Sequence, residues 1–112
     1  MNINLDLEII DDQLSKKLLL SGEIDAYTAP KLKEALLPLT KETGKEVIVD
    51  LENVKYMDST GLGVFISALK SSKEHNSSFK LINLQERVER LFKITSLDKI
   101  MTIENSLRGG NK

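Results

Sequence analysis

The feature that most limits the fold is a gap too short to hold a helix. Ile3, Leu5, Leu7 and Ile9 alternate with Asn4, Asp6 and Glu8, the period of a strand with one buried face. A second apolar run, Ser15 to Ser21, centres on Leu18-Leu19-Leu20 and ends at Gly22. Only the turn Asp11-Asp12-Gln13 separates the two. They can therefore pair only as neighbouring antiparallel strands of a hairpin.

Beyond Gly22 the spacing changes. Thr28 is placed to cap a helix and Pro30 falls in its first turn, where a missing N–H costs nothing. Leu32, Ala35, Leu36 and Leu39 give that helix one apolar face. Pro38 predicts a kink or an early end, and Gly44 closes the segment. Val47-Ile48-Val49-Asp50-Leu51 reads as a strand buried on both faces, followed by a loop over residues 52–57. Leu62, Phe65, Ile66 and Leu69 mark a second helix reaching to about Glu74, and His75-Asn76-Ser77-Ser78 a turn. Phe79 to Ile82 is a strand, Leu84, Val88, Leu91 and Phe92 mark a third helix, and Ile100 to Ile103 a last strand. The expected class is α/β, in the order β-β-α-β-α-β-α-β, with a mixed central sheet and helices packed on it. One domain over residues 1–105 and a flexible C-terminal tail over 106–112 are expected.

Composition narrows the function. The 112 residues carry a formal net charge of −1, and Lys and Glu are interspersed, as at Lys31, Lys33 and Glu34. A chain that neutralises phosphates usually carries a basic surplus, so this balance argues against nucleic acid as a direct partner. The absence of Cys removes disulfides, thiolate metal sites and cysteine nucleophiles together. The N-terminal residues alternate instead of forming the basic and apolar blocks of a signal peptide, and no apolar run approaches the roughly 20 residues that cross a bilayer. A cytoplasmic protein without membrane partner, metal or cofactor is the expectation.

The run Met57-Asp58-Ser59-Thr60-Gly61-Leu62-Gly63 stands where a strand ends and a helix begins. Asp58, Ser59 and Thr60 are all good capping residues, and the free N–H groups of a helix start favour an anion. Gly61 and Gly63 each cost helix stability, by about 1 kcal/mol relative to Ala. Spacing alone leaves two readings open. One is a capped helix whose glycines serve helix–sheet packing; the other is an exposed hydroxyl at Ser59 able to carry a phosphate.

That run resembles the signature of bacterial anti-sigma factor antagonists, the single-domain STAS proteins. The resemblance extends to Gly22-Glu23-Ile24-Asp25, to Ala29-Pro30 with its helix, and to Arg90-Leu91-Phe92-Lys93-Ile94-Thr95, in the family's order. It is strongest to the branch that controls the general stress factor, sigma-B. Ser96 departs from a usual glycine, and His75 to Ser78 replaces a glycine-rich turn.

The resemblance implies a partner switch. The unphosphorylated antagonist binds an anti-sigma factor that is also a serine kinase, sigma factor is released, and phosphorylation of Ser59 ends the complex until a serine phosphatase restores it. It implies Ser59 as acceptor with Thr60 as the alternative. Asp25, Asp58, Ser59, Thr60, Gly61, Leu62 and Gly63 are the implied partner contacts, and no residue is catalytic. A scaffold or sensor STAS component of a stress complex is a second reading. A phospho-Asp receiver, using Asp11-Asp12 with Asp50 or Asp58, is a third, but it needs a helix directly after its first strand. A hydrolase built on Ser59 would need a base, and the only His, His75, lies sixteen residues on.

Overall fold

The computed structural model describes residues 4–105. The elements are β1 (Leu5–Asp11), β2 (Ser15–Ile24), α1 (Ala29–Leu39), β3 (Glu46–Met57), α2 (Ser59–Glu74), β4 (Ser78–Ile82), α3 (Glu86–Ile94) and β5 (Thr102–Glu104), with a short 3₁₀ turn over Leu97–Lys99. They form a five-stranded sheet in the order β1-β2-β3-β4-β5. β1 runs antiparallel to β2, and every other neighbouring pair is parallel. The expected α/β order and the opening hairpin are therefore present. Ile3 and the tail over 106–112 lie outside the described residues.

Strand register sorts side chains onto two faces. Leu5, Leu18, Leu20, Val47, Val49, Leu51, Phe79 and Leu81 are buried on one of them. The helices supply the other half of that core. Phe65 of α2 stacks on Phe79 of β4 with ring centroids 6.3 Å apart, and Phe92 of α3 meets Phe65 at 6.2 Å. α1 packs beside α2 and completes the layer. Among the described residues, no helix covers the opposite sheet face. There Leu19, Ile48 and Ile82 are only half-buried. This corrects the expectation for β3, whose apolar run suggested burial on both faces. Its centre is Asp50, which turns its carboxylate to the Glu52 N–H at 2.9 Å.

Two further corrections share one cause. Residues 52–57 are strand, not loop, and β2 runs on through Gly22 to Ile24. The β2–β3 register shifts between Leu19 and Ser21 and again between Gly22 and Glu23. Burial along β3 then recurs at Leu51, Val54 and Met57, every third residue, so the alternation that marks a strand is lost. Gly22 is the pivot. Its φ of +127° is open to glycine, and a Cβ there would run into the Asn4 carbonyl, which accepts the Glu23 N–H.

Smaller departures follow from cover. The outer half of β1 is an uncovered edge, with Ile9 and Ile10 each 47% exposed, so among the described residues of the alternating set Leu5 and Leu7 meet the core and Ile9 does not. The last strand starts at Thr102, because Ile100 ends the 3₁₀ turn on the surface. α1 ends one residue after Pro38. Beyond the β1–β2 turn, Lys16 bonds Glu42 at 2.7 Å and Asp11 at 3.3 Å, and the Glu42 hydrogen bond is the main cause of its raised pKa.

Two turns hold non-glycine residues in a backbone that glycine would favour. Ser96 has φ +62° and Asn76 φ +56°, both left-handed. Asn tolerates this region; Ser does so at a cost. Ser96→Gly is expected to raise the unfolding free energy by about 1 kcal/mol in urea titration, with unchanged denaturant slope.

Candidate functional site

β2 and β3 end together, with Ile24 paired to Met57. One residue further on, the Asp58 N–H donates to the Ile24 carbonyl at 3.2 Å, so the β2–α1 loop and the start of α2 are joined. Asp58 has the extended backbone of an N-cap residue. Its Oδ1 accepts the Thr60 N–H at 2.9 Å and also the Thr60 hydroxyl. The Asp58 carbonyl takes the N–H groups of Gly61 and Leu62, at 3.0 and 3.3 Å.

Ser59, the first residue of α2, is exposed. Among the described residues its hydroxyl makes no hydrogen bond. The two candidate acceptors therefore differ in state. The Thr60 hydroxyl is engaged by Asp58, and the Ser59 hydroxyl faces solvent at the positive end of a 16-residue helix.

The remaining members of the run divide by direction. Gly61 is buried, and a Cβ on it would lie 2.7 Å from Ile24 Cγ2 and 2.7 Å from Met57 Cγ. Leu62 is 5% exposed and belongs to the core. These two positions, expected among the partner contacts, thus direct their side-chain space inward. Gly63 is exposed, with nothing within 4 Å of the place a Cβ would take.

Asp25 also has an internal task. Its Oδ1 accepts the N–H groups of Tyr27 and Thr28, at 2.9 and 3.0 Å. Thr28 sits at the expected cap position of α1, yet its hydroxyl donates to the Glu23 carbonyl at 2.8 Å and does not cap the helix. Asp25 thereby shapes a loop that displays Tyr27, 77% exposed. In the sequence the only signal of Tyr27 is an aromatic ring in a short polar loop.

The groups of the rival readings are not gathered. Asp11 and Asp12 sit at the β1–β2 turn, beside the end of the sheet where Glu46 begins β3, whereas Asp58 follows the other end of that strand. His75 caps the far end of α2, about 24 Å of helix from Ser59. Among the described residues, no helix is long and apolar enough to cross a membrane.

A parallel sheet with an antiparallel first strand, helices on one face and a helix starting beside the β2–α1 loop is the STAS arrangement, and the STAS domain profile matches residues 4–109. The chain belongs to the STAS-domain family. It is similar to the anti-sigma-B factor antagonist of Bacillus subtilis (strain 168), 46% identical over 110 residues that span 98% of each chain. A solved anti-sigma factor antagonist from Mycobacterium paratuberculosis has the same fold, with a TM-score of 0.83 and 22% identity over 93% of this chain and 88% of that one. The Bacillus cell fate determinant SpoIIAA, solved in its phosphorylated form, superposes with a TM-score of 0.67 and 17% identity over 96% of each chain.

The two glycines are expected to respond oppositely to the same methyl group. Gly61→Ala should lower the unfolding free energy by about 1–3 kcal/mol through overpacking against Ile24 and Met57. Gly63→Ala, with open space around it, should raise it by about 0.5–1 kcal/mol. Chemical denaturation of the two variants beside the parent chain measures both.

Proposed function

We propose that the unphosphorylated chain binds an anti-sigma factor that is also a serine kinase, that this binding frees the sigma factor, and that phosphorylation of Ser59 ends it. The observation that carries the proposal is the contrast between two adjacent hydroxyls. Thr60 is held by the capping carboxylate, while Ser59 is exposed and unengaged at the helix start. Membership of the STAS family and the similarity to an anti-sigma-B factor antagonist over nearly the whole chain supply the class of partner. In the transfer, Ser59 Oγ takes the γ-phosphoryl group of ATP, ADP leaves, and a base of the kinase receives the hydroxyl proton. A serine phosphatase reverses the step by hydrolysis, and the cycle belongs to the cytoplasm, where the sigma factor works.

The physics of the switch is local. A phosphate adds a charge of about −1.5 to −2 where a small neutral group stood. The start of α2 tolerates that charge, so the domain keeps its fold. A partner packed onto Ser59 and Gly63 does not tolerate it, because the phosphate would be desolvated next to the Asp58 carboxylate. A loss of about 3 kcal/mol weakens binding roughly a hundredfold. Gly63 fits this account, since its missing side chain lets the partner approach the helix closely.

Incubation with the cognate anti-sigma kinase and ATP, followed by peptide mass spectrometry, tests the acceptor. Phosphate is expected on Ser59 in the parent chain and in Thr60→Val, and nowhere in Ser59→Ala. Ser59→Ala should remain bound to the kinase through an ATP chase, whereas Ser59→Asp should bind poorly. Gly63→Ala should bind at least about tenfold more weakly despite its greater stability. Phosphate on Thr60 alone, or full-strength binding by Ser59→Asp, would overturn the proposal.

A further inference from the structure

The segment Arg90-Leu91-Phe92-Lys93-Ile94-Thr95 is only half accounted for by packing. Val88 and Phe92 are buried and Leu91 is half-buried, which seats α3 against the core. The outward members have no such role. Arg87, Arg90 and Ile94 fall at i, i+3 and i+7 and so share one stripe of the helix. Both arginines are exposed, and neither guanidinium has an ion-pair or hydrogen-bond partner among the described residues. Ile94 is 72% exposed, and Ile100, just past the 3₁₀ turn that follows, is 56% exposed. Lys99 adds a further exposed cation. Of the neighbouring charges, Lys93 is 4.0 Å from Glu89, while the exposed Glu86 and Asp98 stand at the two ends of the segment.

We propose that the Arg87–Arg90–Ile94 stripe of α3 is a docking surface for an acidic amphipathic helix of a protein partner, separate from the Ser59 end of α2. Scattered exposed apolar side chains need no explanation. Here, however, two guanidinium groups without a partner among the described residues are followed by an exposed apolar side chain along one helical stripe, at the spacing with which helices read one another. Arginine is among the residues that interfaces favour over the remaining surface. Charge selects the occupant. The stripe is cationic on a chain of net charge −1, so a helix with carboxylates flanking an apolar row complements it. A second copy of this chain related by a two-fold axis would bring arginine against arginine. The proposal does not depend on Ser59 or its modification.

The test uses the full ¹⁵N-labelled chain and a synthetic helical peptide of about five turns, about 18 residues, with a leucine row flanked by glutamates. Saturable amide shifts confined to residues 86–100 are expected. Arg87→Glu/Arg90→Glu and Ile94→Ser should each weaken binding by at least about tenfold, while Ser59→Asp leaves it unchanged. The same peptide with lysines for glutamates should not bind. All three changed positions are exposed, so melting temperatures should stay at the parent value; if the double variant melts lower, Arg90→Gln carries the comparison. The proposal is overturned by absence of saturable shifts, by shifts centred on another face, or by equal binding of the lysine peptide. Self-association of the chain through α3, or binding of phosphatidylglycerol vesicles through the same arginines, would also overturn it.

Discussion

The start of α2 is fixed by contact so close that no side chain fits. Gly61 lies against Ile24 and Met57, the last residues of two paired strands, and the Asp58 N–H closes onto the Ile24 carbonyl. Much of the remaining architecture serves that junction. The two register shifts between β2 and β3 bring both strands to the same end, and Gly22 supplies the left-handed backbone one of those shifts requires. Phe65, a turn and a half along α2, locks the helix to β4 and α3 through its two aromatic neighbours. Ser59 is thus held at the junction of a strand and a helix and not within a long loop, which would present a kinase with a hydroxyl of defined position.

Rigidity and exposure at this point explain how a single charge could act as a switch. The Asp58 carboxylate already occupies the Thr60 N–H and hydroxyl, so the cap is complete without Ser59. Phosphate on Ser59 would leave that cap intact, and the change would be felt by whatever sits on top of the helix. The exposed surface at the start of α2 is correspondingly small-sided, with Ser59 and Gly63 four residues apart on one face of the helix. The inward pair, Gly61 and Leu62, builds the platform beneath it.

The order of elements was legible because the apolar spacing is strong in the helices and in the central run of β3. The strand-to-helix junction that holds the candidate site was legible too, since capping residues and glycines mark it at 57–63. The division of labour within that run was not. Gly61 and Gly63 look alike in sequence, and only the position of the neighbouring strand ends separates a packing glycine from an outward one. Asp25 likewise reads as a free acidic contact until the loop geometry turns its carboxylate to Tyr27 and Thr28. The second half of β3 was hidden because bulges replace alternation by a three-residue burial period. Ser96 shows the converse, a left-handed backbone kept without the glycine that would have announced it.

Most directly, the account stands on the affinity of the enzymatically phosphorylated chain, compared with the unmodified chain, for the anti-sigma kinase in calorimetry, with the fold followed by amide spectra of both forms. The account predicts binding at least about a hundredfold weaker after phosphorylation, with spectral changes confined to the neighbourhood of residues 58–63 and the adjoining 24–28 loop. Equal affinity of the two forms, or spectral changes spread across the sheet, would contradict it.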